Sequence, residues 1–169
     1  MNRHYFIMLT ATTVAVFVSG TGRADVLRVP GDYSTIQAAI DASVDGDEVV
    51  IADGVYTGDG NRDMDFGGRA ITVRSENGPE ACIIDCEAAV QDYHRGFWFH
   101  SGESFTSAVR GISIINGFAP SPGRYHGGGI AIDGASPTIT NCQFSQCETG
   151  TSGGAVAVLS GGPLFQDCL

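Results

Sequence analysis

Aromatic and titratable side chains cluster at two places in the sequence. Tyr93-His94-Arg95 is followed closely by Trp98 and His100, and Arg124-Tyr125-His126 lies in a turn-rich stretch. Aromatic rings stack on sugar faces, and imidazole and guanidinium groups form hydrogen bonds with hydroxyl and carboxylate groups. The alternative is ordinary packing in the core or on the surface. The candidate ligand-binding residues are therefore His94, Arg95, Trp98, His100, Arg124, Tyr125 and His126.

A second candidate site is a run of alternating oxygen-bearing side chains. Its members are Asp59, Asn61, Asp63 and Asp65. This alternation is typical of a calcium loop, but Met64 occupies the glycine position and Ala70 the position of the closing glutamate. Calcium is thus the only cofactor that the sequence suggests, and a solvated turn is the alternative.

The cysteines form no zinc-binding pattern. The chain has Cys82, Cys86, Cys142, Cys147 and Cys168, without the paired spacing of a zinc site. In an exported protein they could form disulfides, and the odd number would leave one thiol unpaired.

The charge balance is strongly acidic. Nineteen Asp and Glu residues face nine basic ones, for a net charge of −10. Nucleic acids and anionic membranes attract basic surfaces, so this composition argues against both as partners.

The first 24 residues have the layout of a secretory signal peptide. A short polar start that contains Arg3 precedes the mostly apolar run 5–18, and small residues precede Asp25. The run is shorter than the roughly 20 residues that cross a bilayer, which disfavours the alternative of a membrane anchor. We expect an exported protein, secreted or at the cell surface, whose mature segment is not inserted in the membrane.

Strand-like runs recur in the second half of the chain. One column has centres at residues 72, 98, 131 and 157, and a second column ends in Cys86, Gly117, Cys142 and Cys168. The most regular steps are 25 or 26 residues, and the longer ones coincide with polar or turn-rich insertions. Short strands, glycine-rich turns and this period predict an all-β fold, a right-handed parallel β-helix in which equivalent side chains stack.

The second column predicts a structural ladder at one bend of the coil. Its polar members are Asp85, Asn116, Asn141 and Asp167, and its cysteines are Cys86, Cys142 and Cys168. Stacked amides would form hydrogen bonds along the axis, and the thiols would fill the interior. A disulfide between neighbouring coils is the alternative for the thiols.

A short capping helix is predicted before the coils. Ser34 and Gln37 form a capping box, and Ile36, Ala39, Ile40 and Val44 share one helical face up to about Ser43. The expected organisation is a signal peptide at 1–24, an N-terminal cap at 25–47 and β-helix coils at 48–169. The last coil ends within a repeat element, which predicts that more coils follow in a longer protein.

The cap and first coil resemble those of the pectin-lyase-like superfamily of right-handed β-helix proteins. The resemblance rests on Val29-Pro30, Ile36-Gln37-Ala38-Ala39-Ile40, Asp45-Gly46-Asp47 and Asp53-Gly54-Val55-Tyr56. Gly127-Gly128-Gly129-Ile130 and Ser152-Gly153-Gly154-Ala155-Val156 are similar to repeats of secreted β-helix proteins and of outer-membrane adhesins.

That resemblance implies three functions. Enzymes of the superfamily act mostly on polysaccharides, but their catalytic motifs are not found: Arg28-Val29-Pro30-Gly31-Asp32-Tyr33 lacks the second arginine of the lyase run. We therefore expect a module that binds polysaccharide or another surface polymer. The alternatives are a polysaccharide lyase or glycoside hydrolase with catalytic residues outside this segment, and the passenger of an outer-membrane adhesin.

Overall fold

The computed structural model describes residues 23–119, 127–150 and 153–169. Nearly all of the predicted signal peptide lies outside these ranges. The secondary structure within them consists of one helix and fifteen short strands. In chain order they are β1 (Val26–Val29), α1 (Ile36–Ala42), β2 (Glu48–Ile51), β3 (Gly54–Tyr56), β4 (Thr72–Ser75), β5 (Cys82–Asp85), β6 (Phe97–Phe99), β7 (Ala108–Arg110), β8 (Ser113–Ile115), β9 (Phe118–Ala119), β10 (Ile130–Asp133), β11 (Thr138–Thr140), β12 (Gln143–Ser145), β13 (Glu148–Thr149), β14 (Val156–Ser160) and β15 (Leu164–Gln166).

The strands form four parallel sheets that run along the sides of a solenoid. Sheet A has the order β1-β2-β4-β7-β11-β15, sheet B β12-β8-β5-β3, sheet C β14-β10-β6 and sheet D β13-β9. Each sheet takes one strand from each successive pass of the chain, which is the arrangement of stacked coils. The prediction of an all-β parallel β-helix with a short N-terminal helix is confirmed.

The core consists of inward-facing side chains that stack in register. In sheet A, Val73 pairs with Val109, and Ile139 pairs with Val109 on one side and Phe165 on the other. The first three are fully buried. Alternate residues of a strand point to opposite faces, so the neighbours of these residues face outward.

One predicted column of strands is only partly correct. In sheet C, Trp98 pairs with Ala131, which pairs with Ala157, as the 33- and 26-residue steps predict. Thr72 does not belong to this column, because it lies in sheet A between Glu48 and Ala108. Both sheets contain apolar strands of similar length, so spacing alone did not separate them.

The cap differs in detail from the prediction. Thr35, not Ser34, is the N-cap, and its hydroxyl accepts a hydrogen bond from the Ala38 amide at 3.3 Å. Ile36, Ala39 and Ile40 are buried, but Val44 lies beyond the helix and is 66% exposed. Within the predicted cap, β1 already pairs with β2, so the solenoid begins before residue 48. Among the described residues no helix has the length and apolar character to span a bilayer.

The predicted polar ladder is divided between two bends. Asn116 comes directly after β8 of sheet B and donates a hydrogen bond to Asp85 Oδ1 at 2.9 Å. Asn141 and Asp167 come directly after β11 and β15, which are neighbouring strands of sheet A. The prediction of a single column is therefore wrong. Asn116, Asn141 and Asp167 share a left-handed backbone, with φ of 54°, 50° and 53°. Asparagine and aspartate tolerate this conformation, which explains why similar residues occur at both bends.

The cysteines are likewise divided. Cys142 and Cys168 occupy equivalent positions in neighbouring coils, and the register of sheet B places Cys82 in the same column. Cys86 lies at the other bend, on the side of Cys147. All five are free thiols, so they pack without bonding, as predicted, and the alternative of a disulfide between coils is not found. The Sγ atoms of Cys142, Cys147 and Cys168 each lie 3.4–3.5 Å from the carbonyl oxygen two residues earlier.

Gly117 occupies a position of the predicted cysteine column because no side chain fits there. A Cβ atom there would lie 1.8 Å from the carbonyl oxygen of Gly128. We predict that Gly117→Ala lowers the free energy of unfolding by about 3 kcal/mol or more, since the backbone must move. Urea denaturation would measure the change. The control is Gly162→Ala, where the nearest atom lies at 3.9 Å and the expected change is below about 1 kcal/mol. Equal effects would contradict the steric explanation.

Buried thiols make the fold sensitive to alkaline pH. Burial raises the pKa of Cys82 to about 12 and that of Cys142 to about 11, from 9.0 for an ordinary thiol. The two protonated thiols therefore contribute fully to the free energy of unfolding below about pH 9. This contribution is lost as the pH rises towards their pKa values in the folded protein. We predict a decrease of about 1.4 kcal/mol per pH unit for each thiol that ionises only when unfolded.

Urea denaturation between pH 8 and 10.5 would measure this slope. Cys82→Ala, which removes one of the thiols, should make the slope shallower even if it lowers stability at every pH. An unchanged slope in this variant would show that other groups cause the alkaline loss.

Candidate ligand-binding surface

Two segments that are about 30 residues apart in the sequence are joined at one side of the solenoid. The Asp63 amide donates to the Arg95 carbonyl at 2.6 Å, and the Met64 amide donates to the Gly96 carbonyl at 2.9 Å. Met64 also forms a parallel bridge with Phe97. This backbone pairing places the predicted calcium-loop residues beside the predicted ligand-binding residues.

His94 lies between two carboxylates. Its Nδ1 is 2.5 Å from Asp63 Oδ2, and its Nε2 is 3.0 Å from Asp92 Oδ1. The other oxygen of Asp63 accepts a hydrogen bond from the Arg95 amide at 3.0 Å. Asp63 therefore holds both the His94 imidazole and the Arg95 backbone amide in place.

Arg95, Trp98 and His100 form a row of planar side chains. The Arg95 guanidinium carbon lies 5.7 Å from the centroid of the Trp98 ring, within cation–π range. The Trp98 and His100 rings are 4.0 Å apart at an interplanar angle of 41°. Trp98 is partly exposed, whereas Arg95 is buried. The row thus presents one large aromatic surface held by a buried cation.

The N-terminal helix helps to position this row. His100 Nε2 lies 3.3 Å from Asp65 Oδ2. The Gln37 side chain accepts from the Asp65 amide at 2.9 Å and donates to the Asp65 carbonyl at 3.0 Å. Gln37 was predicted to cap its own helix, but instead it holds the segment that supports His100.

The four predicted calcium ligands do not converge on one point. Asn61 Oδ1 accepts from the Ile36 amide, and Asp59 contacts Arg62 at 3.5 Å. Asp63 and Asp65 face His94 and His100. Within the described part of the chain no three His, Cys, Asp or Glu side chains are arranged to hold a metal ion. Arg124, Tyr125 and His126 lie outside the described residues.

An open groove of about 520 Å³ lies at the bend between sheets B and D. Its lining includes Asp85, Glu87, Val90, Asn116, Phe118 and Glu148. Tyr93, which precedes His94, stacks on Phe118 with ring centroids 5.8 Å apart, and the Phe118 amide donates to the His94 carbonyl at 2.9 Å. The groove therefore adjoins the His94 side of the aromatic row.

The sequence did not identify Glu87, Phe118 or Glu148 as site residues. Phe118 and Glu148 each lie two positions after a left-handed residue, Asn116 and Gln146, and they pair in sheet D. An alignment of the chain on those bend residues would have placed them side by side. Glu87 lies beside them in the loop after β5, where it is left-handed like Asn116 and the Ala88 amide donates to the Asn116 carbonyl at 3.0 Å.

The fold and this surface define a parallel β-helix repeat protein with a partly exposed aromatic row and an adjoining acidic groove. Comparison of the chain with known protein families, with curated proteins and with solved structures finds no match in any of the three.

Asp63 should be the most sensitive residue of the surface. Asp63→Ala removes the acceptor of the Arg95 amide and the partner of His94, and alanine is strained at a φ of 54°. We predict a loss of about 2 kcal/mol in the free energy of unfolding.

Two control variants separate the causes of this loss. Asp63→Gly relieves the backbone strain but not the lost hydrogen bonds, and Asp63→Asn retains an acceptor and tolerates the conformation. Urea denaturation should rank the losses as alanine, then glycine, then asparagine. An asparagine variant as unstable as the alanine variant would contradict this explanation and assign the loss to the negative charge that faces His94.

Proposed function

We propose that this chain is an exported β-helix repeat module that binds polysaccharide, or another cell-surface polymer, through the side of its coils. The observation that carries the proposal is the row of Arg95, Trp98 and His100. Aromatic surfaces bordered by hydrogen-bonding side chains suit sugars, whose carbon–hydrogen faces pack on rings while their hydroxyl groups are bound at the edges.

The environment of the row also suits a neutral ligand with many hydroxyl groups. Arg95 contacts Trp98, and His100 contacts Asp65, so the basic groups are accompanied by an aromatic ring or a carboxylate. Such preorganised side chains lose little conformational entropy when a ligand binds. An extended polymer could continue past Tyr93 into the groove, which adjoins the same segment.

The sequence features of export support the same function. A signal peptide would bring the module outside the cytoplasm, where polysaccharides and surface polymers occur. The resemblance of the cap and first coil to the pectin-lyase-like superfamily also supports a carbohydrate ligand, because many members of that superfamily act on polysaccharides. N-terminal sequencing of the exported protein should find Asp25 as its first residue.

Trp98 provides a direct test, because it is the only tryptophan in the chain. We predict that a glycan retained by the protein on a polysaccharide array changes the tryptophan emission in a saturable manner. In calorimetric titrations with the same glycan, Trp98→Ala should reduce affinity by about tenfold, the effect expected for a central aromatic contact.

The matched control is Phe105→Ala. Phe105 is also aromatic and is 74% exposed, but it lies in the loop between β6 and β7, outside the row. Its replacement should leave the affinity unchanged. The proposal fails if no glycan is retained, or if the two variants lose affinity equally. Release of new reducing ends or of unsaturated products from a bound glycan would show that the chain also acts as an enzyme.

A further inference from the structure

The groove beside Phe118 combines three carboxylates with an apolar wall. Asp85 ends β5, Glu87 lies in the loop that follows it, and Glu148 lies in the next coil but one. Val90, which is 73% exposed, and Phe118 provide the apolar part. A ligand that fills this space must be compatible with both carboxylates and apolar side chains, because Glu148 pairs directly with Phe118.

The three carboxylates differ in the number of hydrogen bonds and ion pairs that they already form within the protein. Asp85 Oδ1 accepts hydrogen bonds from Asn116 and from the Glu87 amide. Glu87 Oε2 accepts from the Gly58 amide at 3.1 Å and lies 3.7 Å from Arg62. The Glu148 carboxylate has no hydrogen-bond or ion-pair partner among the described residues, and it is exposed at the groove. Glu148 is thus the group with the most binding capacity left.

A metal ion is a poor match for this arrangement. No set of three acidic, histidine or cysteine side chains in the described ranges has the geometry of a metal site. The apolar wall would contribute no ligands to a hard cation, which prefers a shell of oxygen atoms. An organic cation with an apolar face uses both parts of the groove.

A polyanion is disfavoured in the same place. Among the described residues, Arg62 lies beside the lining, and its guanidinium contacts both Asp59 and Glu87. The chain as a whole carries a net charge of −10. A uronate polymer would therefore meet repulsion in the groove and at long range, most strongly at low ionic strength.

We infer that the groove binds amino sugars, with a protonated amine at Glu148 and the sugar face on Phe118. This inference rests on the proposed function and specifies the chemical class of its ligand. The amides of Asn116 and Gln146 also face the groove and can form hydrogen bonds with hydroxyl groups. The expected ligand is a glucosamine oligomer, which combines positive charge with the sugar faces and hydroxyl groups of a neutral glycan.

Calorimetric titration of the whole chain at about pH 5.5 and low salt would test the inference. The probes are the hexamers of glucosamine, N-acetylglucosamine and galacturonate, since acetylation removes the charge and keeps the sugar. Glucosamine should bind about tenfold more tightly than its acetylated form, galacturonate should not bind, and added salt should weaken the glucosamine complex.

Substitutions would locate the charge that is recognised. Glu148→Gln should reduce the affinity for the glucosamine hexamer about two- to fivefold and leave the acetylated hexamer unaffected. The matched control is Glu80→Gln, an exposed acid outside the groove that should have no effect. Both changes lie on the surface, where substitutions affect stability little.

Different results would overturn different statements. Equal affinity for the charged and acetylated hexamers, or equal losses in the two variants, would refute the assignment of amino sugars to this groove. Preferential binding of galacturonate would refute it as well. The polysaccharide-binding proposal still stands if the groove assignment is refuted but some glycan changes the Trp98 emission. If no glycan binds to the protein at all, that proposal fails too.

Discussion

Parallel pairing of each coil with the next in register is the constraint on which the rest of the structure depends. A residue in one coil must share its direction with the residue above it, so inward positions such as Val73, Val109 and Ile139 form continuous apolar columns. The same register brings outward side chains into rows. Core and surface are therefore fixed together, and a side chain at a bend must suit both its backbone conformation and its neighbours along the axis.

The candidate surface is assembled across coils rather than within one. Asp63 contacts His94, Asp65 contacts His100, and Phe118 of the next coil touches Tyr93. In the aromatic row Arg95 contacts Trp98 and His100 contacts Asp65, whereas the adjoining groove is mainly acidic. Two regions with different chemical preferences thus lie side by side on one protein, which suits a polymer whose units differ in charge.

Stacking leaves a period in the chain, so the β-helix and the pairing of Trp98 with Ala131 could be predicted. The N-terminal helix does not repeat, and it was predicted from its own capping pattern and helical spacing. The ladder was misassigned because a left-handed residue followed by cysteine occurs at both bends, at Asn141-Cys142 and again at Gln146-Cys147. The groove was missed because its walls come largely from an irregular loop after β5 and from strands of two residues, which are too short to show periodicity.

The Gln37 side chain couples local unfolding at the N-terminal end of the solenoid to the aromatic row. Its two hydrogen bonds to the Asp65 backbone bind the helix at the end of the solenoid to the segment beneath His100. Fraying of that end would release the aromatic row before the middle coils melt, because the row takes part of its support from outside its own coil. The terminal helix therefore does more than cover an apolar end: it also supports the aromatic row through Asp65.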